Sequence, residues 1–102
     1  MDRRKEPRFD LEFSVRIWGV DWNARPFAEV VRATSVSPTG AVLLDVHSKL
    51  HAGELIDVQH EARRAQFRIV WTRPGETGIQ ALPCEPAIFA VVPKTFEMAG
   101  TG

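Results

Sequence analysis

The sequence predicts an all-β fold: a six-stranded antiparallel β-barrel with an extended N-terminal arm and at most a short C-terminal helix. Three observations lead there. Apolar and polar residues alternate with the two-residue period of half-buried strands, most clearly over 12–18 and 65–72. Clusters of Asp, Asn, Pro, Ser and Gly separate six such runs at a spacing of roughly ten to fourteen residues, the rhythm of a small barrel or sandwich. No segment before Pro83 sustains a helical period.

Each element has its own reason. Residues 1–10 are polar and rich in arginine (Arg3, Arg4, Arg8), and Pro7 pushes the preceding Glu6 toward extended geometry, so they are expected to form an arm. The barrel is expected over 11–93 and a flexible tail over 94–102. In 12–18, Phe13, Val15 and Ile17 share one face. Turn formers at 21–26 lead into 27–34 with the β-branched pair Val30 and Val31, which makes a hairpin. The stretch 35–40 reads as a turn, with Gly40 feeding the apolar run 41–46. After a connector over 47–53, the run 54–60 turns Leu55 or Ile56 and Val58 inward. Glu61, Arg63 and Arg64 mark a turn. In 65–72, Phe67, Ile69 and Trp71 are expected to fill the core together. Residues 74–78 turn the chain, and 79–82 supply the last strand. Pro86 suits the first position of a helix, but β-branched Ile88, Val91 and Val92 and the stop at Pro93 limit it to one or two turns.

Composition narrows the function classes. Of 102 residues, 44% are hydrophobic and 25% charged, which excludes disordered and collagenous chains. Lys+Arg and Asp+Glu number 13 each, so the formal net charge is zero, without the basic excess of a general DNA or RNA binder. Any anion site must be local. No uncharged stretch is long enough to cross a bilayer and the N-terminus has no apolar signal core, so a cytoplasmic protein without membrane insertion is expected. The single cysteine, Cys84, cannot form an internal disulfide or a multi-cysteine zinc site.

Two constellations could carry chemistry. Arg4 and Arg8 lie about 13 Å apart in an extended arm, so their guanidinium groups can approach a compact dianion from two directions. Arginine pairs bidentately with phosphate or with the O6/N7 edge of guanine, and it stacks on bases. Ser35, Ser37 and Gly40 offer hydroxyls beside a residue that permits close backbone approach or positive φ. The two constellations occur in order about 27 residues apart, with a hairpin between them.

Together they resemble the PilZ domain family, whose pattern is an R-x-x-x-R arm before the first strand and a (D/N)-x-S-x-x-G turn after the second. Arg4 and Arg8 match the first element, and Ser37 and Gly40 the second. Phe67 to Trp71 followed by Gly78-Ile79 is similar to the family's later strands, so the resemblance spans roughly Arg3 to Leu82. It implies a barrel that binds the bacterial second messenger cyclic di-GMP, with the arm folding over the ligand. Arg4 and Arg8 would grip phosphate and guanine, Ser37 and the backbone near Gly40 would meet the sugar-phosphate ring or a base edge, and Arg3 would be peripheral. Ser35 departs from the pattern. Its hydroxyl is shorter than the Asp or Asn acceptor for guanine N1 and N2, and one lost hydrogen bond costs about 1 to 3 kcal/mol.

The expectation is therefore a non-enzymatic cyclic di-GMP receptor, with no cofactor beyond that ligand, acting on a downstream protein partner. The alternative is a degenerate PilZ-like adaptor that binds protein and no nucleotide. Other signals are weaker. His47 and His51 would share a face only if their segment were helical, and it reads as a connector ending at Gly53, with His60 further on; Ser37, Asp45 and a histidine lack the strand-to-helix elbow of a hydrolytic serine. Trp18 and Trp22, near a hairpin turn, suggest a protein-contact patch.

Overall fold

The computed structural model of the protein describes residues 11–21 and 23–89. Within them the period-two runs become six strands: β1 (Phe13–Val20), β2 (Pro26–Ser37), β3 (Gly40–Leu44), β4 (Leu55–His60), β5 (Arg63–Arg73) and β6 (Glu76–Ala81). Every pairing is antiparallel, and the sheet closes on itself in the order β1-β2-β3-β6-β5-β4. Closure gives each of the described strands a neighbour on both sides. The arm with Arg3, Arg4 and Arg8, the residue Trp22, and residues 90–102 with the expected tail lie outside the described residues.

Alternation in the sequence becomes alternation in burial. Val15 and Ile17 of β1 point inward beside Val31 and Ala33 of β2, while Ser14 and Arg16 face out. Of the two registers open to β4, the structure adopts the one that buries Ile56 and Val58 and exposes Leu55. Phe67, Ile69 and Leu43 complete the centre, each fully buried. Burying side chains of this size stabilises the fold by about 1.5 to 3 kcal/mol apiece.

Trp71 departs from the expected core. Between Ile69 and Trp71 the β5–β6 register shifts, so Ile69 stays opposite Ile79 while Trp71 falls opposite Gly78. This bulge moves Trp71 from the inner face to the outer one. There its ring covers Gly78, where a Cβ would stand 2.3 Å from Trp71 Cε2, and the Arg73 guanidinium lies 4.4 Å from the ring centroid.

The turns are tighter than the sequence suggests. The strands β2, β4 and β5 run on until two residues remain in each loop: 38–39, 61–62 and 74–75. Arg63, Arg64 and Glu76 to Gly78 therefore belong to strands, because ladder hydrogen bonds satisfy backbone groups that a longer loop would leave to water.

The two barrel ends are closed differently. Where β1, β3 and β5 begin, the chain after β6 folds back and buries Ile88 and Phe89, at 1% and 2% exposure. The Phe89 ring lies 5.3 Å from Phe67 and 5.8 Å from Phe13, and Phe13 stacks on His60 at 4.2 Å. Residues 86–87 are irregular and 88–89 lie in a turn, and no helix occurs among the described residues. At the opposite end, Glu29 reaches across the mouth to the connector after β3. Its carboxylate accepts from the amides of His47 (3.0 Å) and Ser48 (2.6 Å) and from the Ser48 hydroxyl. Burial pushes the Glu29 pKa up, but these donors and the nearby His47 outweigh it and hold the carboxyl below its ordinary value.

Candidate functional site

The site suggested by the sequence begins at a bulge. In the β2–β3 ladder Thr34 pairs with Val42 and Ser37 with Gly40, so Ser35 and Val36 together oppose Ala41. Val36 takes the inward place and is fully buried. Ser35 is the residue that absorbs the extra length, and its φ of +49° lies in the left-handed region. Gly40 does not carry the positive φ allowed for it; among the described glycines only Gly53 and Gly75 do.

Past the bulge, Pro38 and Thr39 make the reversal. The Thr39 carbonyl accepts from the Ala81 amide at 2.7 Å, and Gly40 pairs with Gln80, so β6 braces the turn from behind. Ser35, Ser37 and Gly40, expected in the turn itself, belong to the ends of β2 and β3 beside it, and they differ in access. Ser35 is half-buried, whereas Gly40 is buried and Ser37 is only 4% exposed. Of the three, Ser35 is thus the least buried.

The β1–β2 register fixes where the arm is rooted. Phe13, the first residue of β1, pairs with Ala33, two residues before Ser35. The chain entering β1 therefore starts at the barrel end that carries the Ser35–Gly40 turn. Arg8 precedes Phe13 by five residues and Arg4 by nine, so they can reach at most about 17 Å and 31 Å from that root. Ser35, Ser37 and Gly40 are brought together, while Arg3, Arg4 and Arg8 lie outside the described residues.

The same end holds what sequence reasoning missed, the aromatic closure of Phe13, His60, Phe67 and Phe89. The available signal was the apolar pair Ile88-Phe89 behind Pro86, read instead as part of a short helix.

The other sequence signals fall apart in space. Ser37 and Asp45 flank opposite ends of β3, which separates them by the length of a five-residue strand. His47 lies beside Glu29 and His51 beside Glu54, at 3.7 Å and 3.9 Å. Among the described residues no three of His, Cys, Asp and Glu come together where a metal ion could be held. Among them, too, no helix is long and apolar enough to cross a membrane. Compared with known proteins, the chain matches no family model and no curated sequence.

Proposed function

We propose that the protein is a PilZ-like receptor domain that binds cyclic di-GMP between the Arg4/Arg8 arm and the Ser35–Gly40 turn. The observation that carries this reading is the β1–β2 register, which roots the arm at the end of the barrel where the turn lies. A dianionic ligand with two guanines suits what these residues offer: two guanidinium groups on a tether and a half-buried hydroxyl on a bulge. Arg3 adds charge at the margin. Clamping of the arm over the ligand supplies the two-state element by which a small, non-catalytic domain signals to a protein partner.

Isothermal titration with cyclic di-GMP tests this directly. Saturable heat is expected for the native chain, and Arg8→Ala is expected to abolish it without lowering the melting temperature. No heat at high micromolar ligand, or normal binding by Arg8→Ala, overturns the assignment. One observation favours the second reading, a PilZ-like adaptor without nucleotide: Ser35 supplies a short hydroxyl where the family pattern has Asp or Asn, and Ser37 is nearly sealed.

A further inference from the structure

We propose that the outer sheet face centred on Trp18 is a docking surface for a partner-protein segment whose apolar face is flanked by carboxylates. The inference concerns the barrel wall, away from the arm and turn, and it does not depend on nucleotide binding.

Register defines the face. Ile17 points inward, so Trp18 points outward, and it pairs with Ala28 on β2 and Asp57 on β4. One pair toward the aromatic end, Arg16 lies between Val30 and Gln59, and Gln59 pairs onward with Arg64 of β5. On the other side Leu55 pairs with Arg68, and Val20 follows Trp18 along the same face of β1. Neighbouring strands are about 4.8 Å apart, so Arg16 and Arg64 stand about 10 Å from each other with Gln59 between.

Two properties set this wall apart. The first is exposed apolar surface: Val30 at 71%, Val20 at 57% and Leu55 at 41% surround the half-buried Trp18. The second is uncompensated charge. Elsewhere on the barrel's exterior, Arg32 pairs with Glu12 at 2.6 Å and Arg73 with Glu76 at 3.1 Å. Among the described residues, no ion pair engages Arg16, Arg64 or Arg68; the acids beside these three arginines are Asp57 and Glu85, whose carboxylate accepts from the Gln66 amide at 2.7 Å. In a chain with zero net charge, this wall therefore carries a local positive excess.

A tryptophan and branched aliphatics ringed by arginine is the composition of a protein-binding hot spot. The face does not favour single-stranded nucleic acid, because it offers one aromatic ring rather than a row of stacking platforms. A second copy of the chain would set arginine against arginine. Among the described residues, the strands close into a barrel in which each has a neighbour on both sides, so no edge strand is presented for another strand to join. The occupant must dock through side chains, its apolar stripe on Trp18, Val20, Leu55 and Val30 and its Asp or Glu residues toward the three arginines.

The test uses the full chain without nucleotide and a synthetic amphipathic helix of about 18 residues, five turns, with leucine on one face and glutamate on both flanks. Its counterpart carries lysine in place of glutamate. The glutamate peptide is expected to bind, the lysine peptide not. Affinity should fall with rising salt, and Trp18→Glu or the pair Arg16→Glu/Arg64→Glu should weaken it at least roughly tenfold. Circular dichroism and melting establish that each variant is folded, and the arginine pair serves if Trp18→Glu is not. Equal binding of both peptides, no binding of the glutamate peptide, or indifference to the folded variants overturns the proposal. So does a dimer that Trp18→Glu dissociates, or a single-stranded RNA that binds through the same arginines. Failure of cyclic di-GMP to bind would leave all these readings unchanged.

Discussion

Ser35 holds a backbone conformation that Asn, Asp and Gly adopt more readily than serine, since its φ of +49° crowds Cβ against the chain. The position therefore has two separable demands, one conformational and one chemical. Ser35→Gly should raise stability by about 0.5 to 1 kcal/mol in urea denaturation without improving ligand affinity. Ser35→Asn should do both, tightening cyclic di-GMP roughly tenfold by titration calorimetry through a longer acceptor. If Asn and Gly affect binding equally, Ser35 does not contact the ligand. Sequence spacing identified Ser35, Ser37 and Gly40 as neighbours, but it offered only Gly40 for close backbone approach or a positive φ. Glycine was the residue free to take it; the bulge that moved the demand to Ser35 has no one-residue signature. Access was equally hidden, because the near-complete burial of Ser37 depends on the turn's being braced by β6.

Individual strands were legible where one face is apolar and the other polar, as in Val15, Ile17, Phe67 and Ile69. That alternation failed at Trp71, where one extra residue reverses which face a side chain joins. The packing it creates is testable. Gly78→Ala places a methyl group against the indole and should destabilise the fold by about 1 to 3 kcal/mol. In a Trp71→Ala background the same substitution should cost far less, and an additive double-mutant cycle would contradict the contact. The connector after β3 depends on Glu29. Because its folded-state pKa is depressed, its contribution is fully present above the unfolded value of 4.5 and is lost as pH falls through the lower folded value. Glu29→Gln should thus cost about 1 kcal/mol at neutral pH. Its deficit relative to the native chain should shrink below pH 4.5 in acid denaturation curves. A deficit independent of pH would rule out the charged carboxylate as the anchor.

For the molecule as a whole, an antiparallel barrel of six strands and the β1–β2 hairpin followed from run length and turn spacing, whereas the β3–β6 and β1–β4 pairings join strands that no short loop connects and did not. Burial of Ile88 and Phe89 did not follow, because those residues cover an opening that exists only after the barrel has formed. Phe89→Ala should remove the rings' common partner and cost about 3 kcal/mol, enough to lower the melting temperature of a domain this size by more than 10 °C in calorimetry. An unchanged melt would make the closure ornamental. Circularity itself rests on little. Eight residue pairs join β1 to β2, but three join β1 to β4, from Arg16 opposite Gln59 to Trp18 opposite Asp57. That short zipper joins segments far apart in the chain, as the longer β3–β6 ladder does, and having the fewest pairs it is the cheapest to undo. When it parts, the cylinder becomes a curled ribbon with two raw selvedges. Amide exchange along Ile17 and Val58 should then outpace that of Phe67 and Ile69, and aggregation on mild heating should start from that slit.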